Sequence, residues 1–378
     1  MPDRSSLRSR CPSCHVPLFI GKELWWGDDG VIHLARSPHN RMVLYESNII
    51  DNLFRGVEEI IGLSIEHIVI ESRRREVRKY IEGVFPAWIR RNVAALNEAL
   101  SGMPVLGGMA ALARRSLGKA LTNRVFEVGR VYGYGDARLG PLWEEGDVHP
   151  WRSTVVRRPY SILFFAAECL ASVEAFEGRE HRVSYRRLED EVYLFEVQPG
   201  EHPVALRERL ERRRYPFKPG DVHYERCPEC GVPREVARLD WDLEKGIIND
   251  PESGRRMALF GPHAVDAVLR DLEAELGEEV PAAVVEAQRR YVKSRAGGEN
   301  WRRSGTTFLR MGALRGLGCV ARFEADEKRL SVTIHNACMP HLSVGMAQAL
   351  YEIAMGRDRS EAHWCLRDDG DLEMEITV

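Results

Sequence analysis

The chain has 378 residues, 44% of them hydrophobic, and a formal net charge of −3 at pH 7. This length suggests about two or three domains, and the near-neutral charge argues against a protein built to coat nucleic acid. Residues 1–10 are polar and basic, unlike a secretory signal, and the longest apolar runs are too short to span a bilayer. We therefore expect a cytoplasmic protein with no membrane span.

The first motif in the chain is a pair of cysteines that recurs far downstream. Residues 11–17 read CPSCHVP, and residues 227–233 read CPECGVP. A CxxC pair supplies two of the four ligands of a structural zinc site, so each motif alone is half of such a site. The glycine after Cys230 suits a turn with positive φ, and His15 occupies that place in the first copy.

The two cysteine motifs begin a longer repeat. A displacement of 216 residues superimposes them, and Trp25 and Gly30 then coincide with Trp241 and Gly246. After the loss of one residue the match continues at a displacement of 215. The matched pairs there include Arg41/Arg256, Leu44/Leu259, Glu71/Glu286, Arg74/Arg289 and Arg75/Arg290. So many identities in one order predict an internal duplication, with a pseudo-dimer inside one chain.

The alignment divides the chain into four segments. They are a polar tail (1–10), repeat 1 (11–198), a linker (199–226) and repeat 2 (227–378). The linker has Pro-Gly ends and a charged middle, which predicts one short helix at about residues 205–214.

Repeat 1 is the longer copy because of an insertion between Gly83 and Phe126. Residues 93–100 and 108–121 within it have the apolar spacing of helices. Since no aromatic anchors accompany their basic residues, extra packed helices are favoured over a segment bound to a membrane surface.

The order of elements is clearest in repeat 2. After the cysteine motif, the sequence predicts in turn a hairpin over 234–250, helices over 263–276 and 282–295, a third helix from Gly305, a hairpin of 319–324 with 329–335, a helix over 346–355, and a closing hairpin of 362–366 with 372–378. Each repeat is therefore predicted to be α+β: a zinc knuckle, helices, and an antiparallel sheet crossed by a helix.

The end of repeat 2 carries a family resemblance. It reads LGCVARFEADEKRLSVTIHNAC, then MAQALYEIAMG, then AHWCLRDDGDLEMEITV, and the matching marks are Gly316–Gly318, Asn336, Gly356 and Cys365. This stretch resembles the 4-vinyl-reductase-type small-molecule (hydrocarbon) binding domain, which is similar in fold to subunits of vesicle transport particles. The resemblance implies a dimeric fold around an apolar ligand. No second cysteine follows Cys365, so a family-type metal site is not expected there.

Three interpretations of the cysteine pairs remain open. The favoured one is a single structural zinc site at a pseudo-two-fold axis, formed by Cys11, Cys14, Cys227 and Cys230, because it completes four-coordination without further ligands. The second is two separate sites completed by a partner chain or by His33, His39, His223 or Cys319. The third is no metal or a redox dithiol, although redox CxxC motifs open a helix of a βαβ unit.

Two further groups of residues are candidate binding sites. Phe164, Phe165, Met346 and Tyr351 lie on the helices expected to cover the sheets, where they line an apolar ligand cavity or simply fill the core. The repeated basic residues Arg74, Arg75, Arg289 and Arg290 bind an anion or form solvated helix faces.

Haem is a less favoured cofactor. The histidines His335, His341 and His363 lie near Cys338 and Cys365 in the sequence, and such a group inside a sheet can hold haem. Repeat 1 has no counterpart of this group, so core or rim histidines are the simpler interpretation.

We expect a non-enzymatic small-molecule binding or sensor protein that contains structural zinc. One alternative is an adaptor that binds a protein through its paired basic helices, or nucleic acid, which the net charge disfavours. Another is an accessory enzyme of tetrapyrrole or aromatic metabolism, which rests on the family association alone.

Overall fold

A computed structural model describes residues 7–84, 107–145, 147, 149–206, 215–295 and 305–378. The helices, numbered along the chain, are α1 Leu18–Glu23, α2 Ile49–Ile61, α3 Glu66–Val84, α4 Gly107–Val131, α5 Leu142–Glu145, α6 Ile162–Glu177, α7 Arg234–Ala237, α8 Pro262–Leu276, α9 Val280–Arg295, α10 Gly305–Leu314 and α11 Pro340–Met355.

The strands form three sheets. They are β1 Leu24–Trp26, β2 Ile32–Leu34, β3 Ser37–Glu46, β4 Asp136–Leu139, β5 Ser153–Arg157, β6 His181–Glu189, β7 Val192–Pro199, β8 Asp240–Asp242, β9 Ile247–Asp250, β10 Arg255–Phe260, β11 Cys319–Ala325, β12 Arg329–His335, β13 Glu361–Leu366 and β14 Leu372–Thr377. The sheet orders are β1-β2-β3-β10-β9-β8, β4-β5-β7-β6 and β11-β12-β14-β13. The two four-stranded sheets thus have the same topology.

The chain divides into two compact units, each built from several segments. Unit 1 comprises Met1–Arg8, Glu66–Leu206 and Trp241–Ile248, and unit 2 comprises Ser9–Ile65, Arg207–Asp240 and Asn249–Val378. The predicted repeats are consecutive segments, whereas the units are interleaved along the chain. The predicted repeat boundaries concern the sequence alone and stay a prediction.

Unit 1 consists of the sheet β4-β5-β7-β6 with α6 on it and α3 against α6. Helix α6 begins at Ser161, whose hydroxyl accepts a hydrogen bond from the N–H of Phe164, a standard way to satisfy the first turn. It ends at Gly178, whose φ of 71° terminates the helix in the left-handed region. Between these caps the helix buries its apolar side chains against the strands.

Unit 2 contains the sheet β11-β12-β14-β13 with α11 on it and α9 against α11. Along β14 the side chains of Leu372, Met374 and Ile376 are buried and alternate with more exposed glutamates. This confirms the predicted strand with one face on a core and the other toward water.

Strands β3 and β10 of unit 2 pair in a register with internal symmetry. Leu44 lies opposite Leu259, and Val43 opposite Phe260. Leu44 and Leu259 are the residues that coincide at a displacement of 215. The Leu44–Leu259 pair of this ladder therefore joins two equivalent positions of the predicted repeats, as expected at a two-fold axis.

The predicted α+β class is confirmed, and the helices and hairpins predicted for repeat 2 occur in the predicted order, but the short helix α7 and the strand β10 were not predicted. One boundary was wrong: α11 begins at Pro340, not Met346, because proline suits the first turn of a helix. In the insertion of repeat 1, α4 confirms the second predicted helix. The first, over residues 93–100, and nearly all of the linker helix over 205–214 lie outside the described residues. In the described part of the chain, no helix has the length and apolar character needed to cross a membrane.

Candidate metal centre

The two cysteine motifs fold into the same backbone turn. The N–H of Cys11 donates to the carbonyl of Val16, and the N–H of His15 donates back to Cys11, both at 2.9 Å. In the second motif, Cys227 and Gly231 make the same two bonds to Val232 and Cys227, again at 2.9 Å. Each turn thus presents its two sulfurs from one tight loop, as zinc knuckles do.

The residue after the second cysteine of each motif adopts a left-handed conformation. Gly231 has φ of 74°, which confirms the expected positive φ, and His15 has φ of 60°. A glycine reaches this region without steric cost, whereas histidine does so less readily. The side chain of His15 is exposed and does not belong to the group of converging ligands.

A helix begins directly after each turn and fixes its orientation. Pro17 precedes α1, and Pro233 precedes α7. Gly21 of α1 lies against the second turn, where a Cβ atom would come within 2.7 Å of the carbonyl oxygen of Cys230. Glycine at this position lets the first helix approach the second knuckle closely.

The four sulfurs of Cys11, Cys14, Cys227 and Cys230 all lie within 4.8 Å of one another. The Sγ atoms of Cys11 and Cys227 are 3.7 Å apart, and those of Cys14 and Cys230 are 3.4 Å apart. Zn–S bonds of about 2.3 Å in a tetrahedron place the sulfurs roughly 3.8 Å apart. The group therefore has the dimensions of a four-thiolate metal site, whereas a disulfide needs about 2.05 Å.

The local environment has opposite effects on the thiols. Backbone N–H groups, chiefly that of Cys230, lower the pKa of Cys227 to about 7. Burial raises the pKa values of Cys14 and Cys230. Four thiolates this close repel one another unless a cation lies between them, so a divalent metal is the natural counter-charge for this set of donors.

The residues considered as ligands of two separate metal sites do not belong to the group of four cysteines. The His33 ring is bound by Asp29 and by the carbonyl of Pro38, and the Cys319 thiol faces Asp221 at 3.9 Å. His39 and His223 are also outside the group of four cysteines. Within the described ranges, no other group of three or more histidine, cysteine or acidic side chains converges in this way. The residues considered for haem therefore form no such group; they are His335, Cys338, His341, His363 and Cys365.

The four predicted pocket residues are part of the packed interior. Phe164 and Phe165 are buried and contact the ring of Tyr160, and Tyr351 is buried in the core of unit 2. Met346 is half-buried and accepts a weak hydrogen bond from Tyr45 at 3.8 Å. None of the four lines the described cavity of about 280 Å³ in unit 1, so an apolar ligand cavity at these positions stays a prediction.

Three of the four predicted anion-binding arginines are already paired with carboxylates. Arg74 is buried and donates to Glu71 and Glu174, and the buried Arg289 donates to Glu286 and Glu352. Arg290 is exposed and pairs with Glu286, and Arg75 is half-buried. Anion binding by Arg75 and Arg290 stays a prediction.

The partners of these buried arginines were not predicted from the sequence. Glu174 and Glu352 are fully buried, and each lies four residues before the glycine that ends its helix, Gly178 or Gly356. A glutamate at the same distance before the terminal glycine of two largely apolar helices was the available signal. Buried charges need partners, and each arginine of the repeated Glu-x-x-Arg pattern supplies one.

Comparisons of the chain with family models, with curated proteins and with solved structures found no match.

Proposed function

We propose that Cys11, Cys14, Cys227 and Cys230 bind one zinc ion per chain and that this zinc is structural. The observation that carries the proposal is the convergence of the four sulfurs at distances suited to tetrahedral zinc. Four thiolates fill the coordination sphere and leave no position for a substrate or a reactive water. The site therefore supports a structural role and not catalysis.

An internal duplication explains why the ligands come from two distant motifs. The turns make matching hydrogen bonds, each Sγ contact joins equivalent cysteines 216 residues apart, and the β3–β10 ladder pairs equivalent leucines with each other. These features favour two copies of one ancestral segment related by a pseudo-two-fold axis, with the metal on it.

Metal analysis of the protein as purified from cells tests this proposal. We expect one zinc per chain by elemental analysis and native mass spectrometry, lost in both Cys11→Ser and Cys227→Ser. Cys365→Ser is the control, because Cys365 is exposed and lies outside the group. Two zinc ions per chain, or a bound zinc that survives either cysteine substitution, would contradict the shared site.

Small-molecule binding is the second candidate function, and a difference between the units favours unit 1. There Arg73 and Tyr160 both donate to the carboxylate of Glu168, at 2.5 and 2.7 Å. The ring of Tyr134 stacks on Tyr160 at 4.2 Å, and the Arg73 guanidinium lies over the predicted pocket residue Phe164. Unit 1 thus contains a charged pair, Arg73 with Glu168, next to the aromatic rings of Phe164, Tyr134 and Tyr160.

The equivalent positions in unit 2 lack these charges. Gln288 corresponds to Arg73, and Met346 corresponds to Glu168 when Gly178 and Gly356 are aligned. Gln288 and Met346 both contact the Tyr45 hydroxyl, at 3.4 and 3.8 Å. Since unit 2 packs with neutral side chains at these positions, packing alone does not require the charges of Arg73 and Glu168 in unit 1. The charges therefore favour recognition, by unit 1, of an apolar ligand that carries one polar group.

Native mass spectrometry of protein from cells tests this second candidate. We expect an additional small-molecule mass on the wild-type chain that is absent from the double variant Arg73→Gln, Glu168→Met. That variant installs the side chains that unit 2 accommodates, so it should fold with its zinc bound. Absence of any such mass on the wild type, or its retention by the folded double variant, would count against binding at this site. The sensor, adaptor and accessory-enzyme roles stay predictions.

A further inference from the structure

A small cavity in unit 1 is lined mainly by cationic side chains. It has a volume of about 280 Å³, and its lining residues are Arg157, Arg158, Lys245 and Ile247. Arginine and lysine side chains are positively charged at neutral pH. The cavity therefore combines three positive groups with one apolar wall, and none of the four cysteines lines it.

The backbone fixes the two arginines at the end of strand β5. Arg157 is the last residue of the strand, and Arg158 has a φ of 54°. This left-handed conformation is uncommon for a residue with a side chain, and the N–H of Arg158 is held by the carbonyl of Glu191 at 2.6 Å.

Two glycines join this turn to the segment that carries Lys245 and Ile247. The N–H of Gly135 donates to the carbonyl of Gly246 at 2.9 Å. A Cβ atom on Gly135 would lie 2.3 Å from the carbonyl oxygen of Arg158, and one on Gly246 would lie 2.4 Å from that of Gly135. Only glycine permits these approaches, so the backbone places the arginines and Lys245 around one space before any ligand arrives.

Each of the three cationic side chains also has a carboxylate within 4 Å. Arg157 lies 3.6 Å from Glu189, and Arg158 lies 2.6 Å from Glu191. Both arginine side chains are about half exposed, and pairs of this kind contribute about 0–1 kcal/mol. A ligand therefore displaces these carboxylates at little cost.

The third carboxylate belongs to the β8–β9 turn. Asp242 lies 3.0 Å from the Lys245 ammonium, while its other oxygen accepts hydrogen bonds from the N–H groups of Glu244 and Lys245. These bonds hold the carboxylate in the turn whether or not Lys245 pairs with it. The lysine can therefore contact a ligand without leaving Asp242 unsatisfied.

We propose that this cavity binds the phosphate group of a small phosphorylated molecule. Guanidinium groups match the oxygens of a phosphate in a bidentate manner, and an ammonium adds a third charge. The volume suits one phosphate with a small organic part, and Ile247 offers that part an apolar contact.

Calorimetric titration of the full-length, metal-loaded chain with inorganic phosphate and with phenyl phosphate tests the proposal. Both anions should bind, and Arg157→Gln and Lys245→Gln should each weaken binding about tenfold, the loss expected for one charged hydrogen bond. Tighter binding of phenyl phosphate identifies an organic phosphate as the ligand class, and equal affinities identify free phosphate.

A matched control is available on the same sheet. Arg187 of β6 is an exposed arginine paired with Asp190 and does not line the cavity. Arg187→Gln should leave both affinities unchanged. No saturable binding of either anion at millimolar concentration, or an equal loss in Arg187→Gln, would overturn the proposal. Because the substituted side chains are exposed, we expect each variant to remain folded, so that a loss of anion affinity reports on binding. Thermal unfolding of each variant checks this.

Discussion

At the scale of single residues, the metal centre depends on Gly21 as well as on its cysteines. The Cβ of any other residue at this place would lie 2.7 Å from the carbonyl oxygen of Cys230 and 3.0 Å from its Cβ. Backbone atoms cannot rotate away as a flexible side chain can, so a larger residue must push α1 or the second knuckle aside. The distance between the two knuckles is thus set partly by a residue that is not a ligand.

Gly21→Ala should lower the free energy of unfolding of the metal-loaded protein by about 1–3 kcal/mol, the usual cost of overpacking. Gly129→Ala is the control: this helical glycine has only ordinary contacts, 3.6 Å at the nearest, so alanine should stabilise there by up to about 1 kcal/mol. Denaturant unfolding of both variants measures the effects. Equal stability of the two variants would show that the close approach is not needed.

At the scale of elements, the same ion pair recurs where two helices pack. Arg74 of α3 meets Glu174 of α6 in unit 1, and Arg289 of α9 meets Glu352 of α11 in unit 2. Burial by itself raises the pKa of Glu352, but hydrogen bonds from Arg289, Lys293 and Ser360 outweigh burial and hold the pKa below its ordinary value. Ionised Glu352 is therefore more stable in the folded chain than in the unfolded one.

Glu352→Gln should cost about 3–5 kcal/mol at neutral pH, because it removes the fully buried carboxylate of the pair and leaves Arg289 only the more exposed Glu286 as a charged partner. Since the folded-state pKa is depressed, the stability from Glu352 is present above the ordinary glutamate pKa of about 4.3 and is lost as the pH falls through the folded-state value. The difference between wild type and variant should therefore shrink on acidification. Denaturant unfolding at several pH values measures it.

Glu373→Gln provides the comparison for an exposed pair. Glu373 pairs with Arg367 on the surface of unit 2, where water screens the two charges and such a pair contributes little to stability. A cost for Glu352→Gln no larger than that for Glu373→Gln would mean that the buried pair does not stabilise the contact between α9 and α11.

Sequence patterns and structure agree where the signal is local. Apolar periodicity predicted α8 and the β11–β12 hairpin, and the spacing in CPSC and CPEC predicted two knuckles. The pairing of β3 with β10 was not predicted, because periodicity specifies a strand and not its distant neighbour. The Arg289–Glu352 pair was also missed, since charge pattern along one helix does not show which carboxylate a second helix will bring.

At the scale of the whole molecule, the four cysteines connect parts of unit 2 that are far apart in sequence. Cys11 belongs to the segment Ser9–Ile65, and Cys227 belongs to Arg207–Asp240. Each Sγ contact spans 216 residues. Closing so long a loop costs conformational entropy, and a metal that binds only the folded arrangement offsets this cost through its binding free energy.

Removal of the metal should therefore destabilise unit 2 by several kcal/mol, since the binding free energy of a structural zinc is available only to the folded chain. Calorimetry of metal-loaded and chelator-treated protein should show a lower unfolding temperature after chelation, restored by Zn²⁺ and not by Mg²⁺, which prefers oxygen ligands. Cys365→Ser should respond as wild type does, whereas Cys227→Ser should already resemble the chelated protein and gain nothing from added Zn²⁺. An unfolding temperature that chelation leaves unchanged, in protein shown to have lost its metal, would contradict a structural role.

The pH dependence of metal removal tests the identity of the ligands. The thiolates must compete with protons for the metal, so mild acidification should lower the concentration of chelator needed to remove the metal. The opposite trend would argue against thiolate ligands.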